Sequence, residues 1–239
     1  MGWLPLESNP EVLTPFARRL GLPADWGFTD VWGFDPELLA MMPRPCAALC
    51  LLFPSGDATR ARRAEMRAKL GEQPEVPASL FFVHQHDGIG NACGTIACVH
   101  AVVNGARSGE YSLAEGPLTE FVAACAEMGV AERGWELTRA KGLHKLSDDT
   151  AAAGETAGAG TDDAQGQHFI AFVPANGMLW ELDGRFWTSQ DGGTAAPYCH
   201  GPTDDFIADA ARVIRDDFMA RDPENLNFNI TALCKLDEP

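Results

Sequence analysis

The chain has 239 residues, 46% of them hydrophobic, and its 34 acidic and 18 basic side chains give a net charge of −16. This length and apolar content are enough for one large domain with a buried core. The negative charge repels phosphate backbones and anionic membrane surfaces, which argues against nucleic acid as a partner. The longest strongly apolar run, 46–53, is far shorter than the roughly 20 residues that a membrane-spanning helix needs.

The N-terminal segment and the cysteines both indicate the cytoplasm. The first residues lack a basic stretch followed by an apolar core, so the sequence predicts no secretory signal. The seven cysteines are odd in number and lack the spacing of a disulfide framework. Such a pattern is typical of free thiols in a reducing compartment.

In chain order, the first predicted elements are two short helices and a buried strand. Asn9 can cap a helix that ends near Gly21. A second short helix is predicted around 35–39, and the apolar run 46–53 follows as a strand.

The next predicted helix, 58–70, is basic. It contains Arg60, Arg62, Arg63, Arg67 and Lys69. Because the chain as a whole is so acidic, we interpret these side chains as a solvated helix face rather than a nucleic-acid site.

The remaining predicted elements alternate strands and amphipathic helices. The segment 80–85 is rich in strand formers, and the apolar residues after Cys93 predict a central buried helix. Amphipathic helices are predicted at 117–128 and 203–220, and alternation predicts a last strand at 226–232.

The segment 147–167 differs from all of these because it has almost nothing apolar to bury. We therefore expect a mobile loop, inserted into a single domain that spans 1–239.

Cys93 combines a nucleophile with the start of a helix. It lies in the stretch H-D-G-I-G-N-A-C-G-T-I-A-C-V-H-A-V-V. Unpaired N–H groups and the dipole at a helix N-terminus favour an anion, and a thiolate so placed can have its pKa lowered from about 8.5 to roughly 3.5–7.5. On this spacing alone, a buried structural cysteine is an equally good interpretation.

His168 and Asp183 begin and end a predicted hairpin, because an Asn-Gly pair separates their two apolar runs. A four-residue loop pairs His168 with Asp183, whereas a two-residue loop pairs His168 with Arg185 and leaves Asp183 on the diagonal. Either register places ring and carboxylate on one face, since side chains alternate along a strand. The two fit a base and an orienter for Cys93; a surface ion pair is the alternative.

Six segments carry a family resemblance: W-L-P-L-E-S-N-P-E-V, D-P-E-L-L-A-M-M-P-R-P, N-A-C-G-T, H-F-I-A-F-V, E-L-D-G-R and R-D-P-E-N-L-N-F-N. In order and spacing they resemble the short single-domain ubiquitin C-terminal hydrolases, peptidase family C12, over nearly the whole chain. The resemblance implies an α/β papain-like fold with a central antiparallel sheet flanked by helices and a knotted backbone.

The resemblance also implies a deubiquitinating thiol hydrolase acting at the C-terminal glycine of ubiquitin through a thioester. Cys93 would be the nucleophile, His168 the general base and acid, and Asp183 the orienter. The segment 147–167 would be the crossover loop over the active site, which in relatives limits the size of the leaving group.

One position departs from the family pattern Q-x-x-x-N-x-C, whose glutamine donates to the oxyanion. Here that position is Asp87, which has no donor and the wrong charge. Because L-F-F-V-H-Q resembles the family's strand before that glutamine, we expect Gln85 to be the donor and His86 and Asp87 to be a local insertion. A metal site formed by His84, His86 and Asp87 lacks a distant fourth ligand. We therefore expect no metal and no cofactor.

Two functions therefore compete: a hydrolase, or a ubiquitin-binding protein whose altered oxyanion site gives little or no turnover. The predicted partner is ubiquitin, and the sequence does not distinguish it from a close homologue such as NEDD8. Nothing in the composition demands more than a monomer.

Overall fold

A six-stranded antiparallel sheet forms the centre of the computed structural model, which describes residues 2–154, 166–189 and 192–236. The strands are β1 (Trp26–Asp30), β2 (Cys46–Pro54), β3 (Gln167–Ala175), β4 (Met178–Leu182), β5 (Trp187–Ser189), β6 (Gly192–Ala195), β7 (Tyr198–Pro202) and β8 (Asn229–Lys235). The order in the sheet is β1-β8-β2-β3-β4-β7, and each neighbouring pair is antiparallel. β5 and β6 pair separately.

Helices pack on both faces of this sheet. They are α1 (Pro10–Arg19), α2 (Pro36–Ala40), α3 (Asp57–Ala68), α4 (Cys93–Arg107), α5 (Pro117–Ala124), α6 (Val130–Arg139), α7 (Lys141–Ala153) and α8 (Phe206–Val213). One apolar core lies between the sheet and α1 and α4, and a second lies beneath α2 and α8. The predicted α/β fold is thus confirmed. The knotted backbone and the single-domain organisation stay predictions.

The helix predicted after Asn9 is confirmed as α1. The Asn9 side chain accepts a hydrogen bond from the Glu11 N–H at 2.8 Å, which satisfies one of the unpaired donors at the helix start. Gly21 follows the helix with φ +106°, and a Cβ there would lie 2.7 Å from a backbone oxygen of Ala114. Glycine is therefore required where the helix stops.

The central buried helix is α4. Its residues 94–105 are all buried, as expected for a helix with almost no charge. In the part of the chain that the structure describes, no helix is both long and apolar enough to cross a membrane.

The predicted strand at 80–85 is wrong. This segment is buried but, among the described residues, pairs with no strand. The Phe81 N–H donates to Asn104 Oδ1 at 2.8 Å, and the Val83 N–H donates to His100 Nε2 at 2.9 Å. Helix side chains thus provide the hydrogen bonds that a strand partner would otherwise supply.

The interpretation of 58–70 as a solvated face is wrong for its centre. Arg60 and Lys69 are exposed, but Arg62 is 3% exposed and Arg63 is half-buried. Carboxylates on the sheet beneath α3 draw these two side chains inward, a pairing across more than 110 residues that local sequence does not reveal.

Several other boundaries differ from the predictions. The first third of the predicted loop 147–167 is helical, because α7 extends to Ala153 and buries Ser147 and Thr150. Residues 155–165 of that loop lie outside the described residues. The last strand begins at Asn229, and Leu226, expected within it, is exposed.

Candidate active site

Cys93 is the first residue of α4, at the end of a tight turn. Gly88 and Gly90 in this turn have φ +79° and +80°, which glycine adopts without steric cost. The N-terminal segment fixes the turn, since the Trp3 N–H donates to Ile89 O at 2.9 Å and the Asn91 N–H donates to Trp3 O at 3.0 Å. The thiol is thereby held at the positive end of the helix.

A cavity of about 280 Å³ opens beside Cys93. The segment 5–9 forms one wall, and the start of β3 forms another. Its remaining lining residues are Leu52, Asn91, Gly94 and Asn229. The thiol is therefore reachable from outside although α4 itself is buried.

The hairpin of β3 and β4 turns at Asn176 and Gly177, whose φ values are +51° and +70°. Ala175 pairs with Met178, so of the two registers considered the two-residue loop is the one that forms. Asp183 lies one residue beyond β4 and therefore diagonal to His168. The His168 Nε2–H donates to Asp183 Oδ1 at 2.6 Å, with both side chains almost fully buried.

The environment shifts the pKa of both members of this pair. Burial tends to lower the pKa of His168, but the charge and hydrogen bond of Asp183 outweigh it and raise the pKa. Burial tends to raise the pKa of Asp183, but the charges of Arg63 and His168 hold it well below its usual range. The carboxylate is therefore ionised throughout the neutral range.

The imidazole of His168 also affects the thiol of Cys93. Burial tends to raise the pKa of Cys93, but the neighbouring imidazole of His168 outweighs burial and lowers it. Among the described residues, His168 Nδ1 has no partner in hydrogen-bond geometry. Nδ1 is thus the nitrogen available to the thiol proton, in the loose arrangement common before substrate binds.

Gln85 lies next to the end of the hairpin. It is 1% exposed, and its N–H donates to Gly184 O at 2.8 Å. Its side-chain amide is satisfied when the oxygen accepts from Arg185 Nε and Nη2, at 3.0 and 3.1 Å. In that orientation the amide N–H groups point away from the arginine. Asp87, by contrast, is exposed on the turn.

Helix α6 packs against the expected insertion, His86 and Asp87, and holds it through His86. The His86 ring stacks on Trp135 with centroids 3.8 Å apart, and its Nε2–H donates to Ala131 O at 2.8 Å. Gly134 allows α6 this close, since a Cβ there would lie 2.3 Å from His84 O. No group of three or more His, Cys, Asp or Glu side chains within the described ranges is placed to hold a metal ion.

Sequence reasoning missed three supporting residues. Arg63 contacts Asp183, His100 supports the segment that carries Gln85, and Arg185 faces the Gln85 amide. Only Arg185 had a sequence signal, because it follows Asp183 in the E-L-D-G-R segment. The other two contacts join segments that are distant in the chain.

A thiol at the start of a central helix, with a buried imidazole–carboxylate pair on the adjoining hairpin, is the arrangement of a cysteine hydrolase. The family model for ubiquitin carboxyl-terminal hydrolase, family 1, matches residues 3–220. The chain belongs to this family.

Individual relatives agree with the family match. A ubiquitin carboxyl-terminal hydrolase of Aplysia californica is 42% identical over 225 residues, covering 93% of this chain and 97% of the relative. One of Drosophila melanogaster is 38% identical over 234 residues, covering 97% and 96%. The catalytic domain of Trichinella spiralis UCH37, solved bound to ubiquitin vinyl methyl ester, is similar in fold, with a TM-score of 0.71 at 20% identity over 100% of this chain and 97% of that one.

Proposed function

We propose that this protein is a deubiquitinating thiol hydrolase that cleaves small adducts or peptides from the C-terminal glycine of ubiquitin. The observation that carries the proposal is the buried His168–Asp183 pair beside Cys93, in a chain that belongs to the ubiquitin carboxyl-terminal hydrolase family. The cavity beside the thiol is the place for the substrate's terminal residues.

In the first half-reaction, the Cys93 thiolate attacks the carbonyl carbon of the terminal glycine. Protonated His168 gives its proton to the departing amine, and a thioester to Cys93 remains. Asp183 holds the ring by Nε2 and stabilises the imidazolium before the proton is given away. Water then attacks the thioester while neutral His168 takes its proton, and the intermediate expels the Cys93 thiolate. This step releases the C-terminal carboxylic acid of ubiquitin and restores the thiolate and the protonated imidazole.

Gln85 is our choice for the donor to the oxyanion that forms in both steps. Its burial, its anchoring to Gly184 and the orientation of its amide support this role. The exposed position of Asp87 on the turn supports an insertion that leaves the oxyanion site intact.

The partner, the leaving group and the location follow from the same proposal. We propose ubiquitin as substrate, with NEDD8 as the competitor to test, and a monomeric protein in the cytoplasm. The predicted loop 147–167, whose first residues belong to α7, is proposed to limit the leaving groups that can pass.

The test is steady-state release of a fluorophore from the C-terminus of ubiquitin, with the same probe on NEDD8 for comparison. The native chain should turn over, and Cys93→Ala should abolish turnover while keeping ubiquitin binding. Cys98→Ala, a buried thiol one turn further along α4, is the matched control and should remain active. Tight binding without turnover by the native chain would favour the ubiquitin-binding alternative instead.

A further inference from the structure

Helix α3 directs two consecutive arginines onto carboxylates of the catalytic hairpin. Arg62 donates from Nη1 and Nη2 to the two oxygens of Glu181, at 2.8 and 2.7 Å. Arg63 donates from Nε and Nη2 to Asp183 Oδ2, at 3.0 and 2.6 Å. Glu181 and Asp183 are two residues apart and so lie on the same face of the strand.

The contacts of Asp183 divide between its two oxygens. Oδ1 accepts from His168 Nε2 at 2.6 Å and from the Arg185 N–H at 2.8 Å. Oδ2 accepts hydrogen bonds from Nε and Nη2 of Arg63. Turning the plane of the carboxylate out of this orientation would therefore break its contacts with both His168 and Arg63 in a site that is almost fully buried, where an unpaired charge is costly.

Arg62 fixes the helix that carries Arg63. Besides its fork on Glu181, its Nε donates to Asp217 Oδ2 at 2.7 Å, and its guanidinium stacks 3.7 Å from the ring centre of Phe218. The side chain is 3% exposed. The planar, multidentate contact leaves α3 little freedom to slide along the sheet.

We propose that Arg63 is a positioning residue of the hydrolase: it holds the Asp183 carboxylate so that Oδ1 faces His168, and its charge sets the pH range in which the Cys93–His168 pair reacts. The inference rests on the proposed function, in which Asp183 orients His168. Arg63 acts through Asp183 and does not itself reach the reacting atoms.

The pH part of the proposal depends on every charged or titratable group that faces the pair. Among the described residues they are Cys93 and His100 of α4, Arg63 of α3, Asp183 and Arg185 beyond β4, and His168 of β3, and the ring of Phe53 of β2 packs against His168. Burial lowers the pKa of His100 to about 3, so that ring is neutral.

Loss of the Arg63 charge should shift the pH profile in one direction. With a cation removed, the Asp183 carboxylate is less compensated, and both Cys93 and His168 hold their protons more tightly. Both limbs of the pH profile should therefore move to higher pH. A variant that only loosened the fold would lower turnover without moving the two limbs together.

The experiment compares Arg63→Met and Arg63→Lys with Arg60→Met, an exposed arginine of the same helix. Two profiles are measured against pH: kcat and KM for fluorophore release from ubiquitin, and the rate of Cys93 alkylation by iodoacetamide, resolved by peptide mass spectrometry. Arg63→Met should lower kcat about tenfold or more, by analogy with the loss seen when the hydrogen-bond partner of a metal-binding side chain is removed. KM should change little, and both limbs of the pH profile should move to higher pH.

Arg63→Lys should keep the limb positions of the native chain, and Arg60→Met should behave as native. In an Asp183→Asn background, Arg63→Met should cost little further turnover, because the two act as one unit. Unshifted limbs in Arg63→Met, or a full additional loss in the Asp183→Asn background, would overturn the proposal.

The alkylation profile needs no ubiquitin, which separates the two proposals. If the native chain releases no fluorophore, the proposed function fails, while the pH dependence of alkylation still decides the role of Arg63. If Arg63→Met does not fold, the decision passes to Arg63→Lys: native limb positions support the charge effect, and limbs shifted upward despite the retained charge contradict it.

Discussion

The β3–β4 hairpin and the segment 80–85 both contribute to the site, but they are built in different ways. The hairpin brings His168 to Asp183 through backbone pairing and a two-residue turn that are local in sequence. Among the described residues, the segment that carries Gln85 pairs with no strand; Asn104 and His100 of α4 hold its backbone at Phe81 and Val83, and Gly184 O accepts from the Gln85 N–H. A local ladder tolerates change around it, whereas a segment held by a few isolated hydrogen bonds depends on each of them.

The largest effect is expected for the chemistry of the hairpin. Asp183→Asn should lower kcat about 10⁴-fold, because an amide selects the wrong imidazole tautomer and cannot stabilise the imidazolium. Fluorophore release from ubiquitin measures the loss. Asp216→Asn, at an exposed carboxylate that pairs with Arg215, is the control. Unchanged turnover in Asp183→Asn would remove its role as orienter.

The next largest effect is expected at Gln85, the proposed oxyanion donor carried by the segment 80–85. Gln85→Ala should lower kcat about 10²- to 10³-fold, the cost of one oxyanion donor. Asp87→Ala, on the exposed turn, should change kcat little. The reverse pattern would place the oxyanion site at Asp87 and refute the inserted-residue explanation.

A smaller effect is expected when the support of that segment is removed. Asn104 accepts from the Phe81 N–H and donates from Nδ2 to Phe81 O at 2.9 Å. Asn104→Ala should lower the free energy of unfolding by about 1–3 kcal/mol, since it leaves buried backbone groups unsatisfied. Urea denaturation measures the change. The control is Ser108→Ala at the exposed end of α4, and equal midpoints for both variants would contradict the expectation.

The smallest effect is expected at the hairpin turn. Asn176 has φ +51°, a left-handed backbone conformation that asparagine tolerates better than alanine. Asn176→Ala should cost about 1 kcal/mol of unfolding free energy and leave kcat nearly unchanged, because the ladder keeps the register. Asn176→Gly serves as the tolerated substitution. A large loss of turnover in Asn176→Ala would mean that the turn, rather than the ladder, aligns His168 with Asp183.

Most of the fold could be predicted where a local signal was present. Asn9 and Gly21 marked the limits of α1, the run 46–53 corresponded to β2, and the apolar residues after Cys93 predicted α4. The prediction failed at 80–85, because strand propensity describes a half-buried extended chain without saying what satisfies its hydrogen bonds. It failed again at Arg62, because burial of an arginine depends on partners elsewhere in the chain.

The sequence by itself determined the cysteine at a helix start, the imidazole and carboxylate on one hairpin face, and the family. These features depend on residues close in sequence, on strand periodicity and on motif order. Only the tertiary structure decided that the hairpin takes the two-residue register, that Asp183 is held by Arg63, and that α4 side chains hold the segment 80–85, which carries Gln85. Those contacts join α3 to β4 and α4 to 80–85, and their geometry exists only once the helices have packed against the sheet.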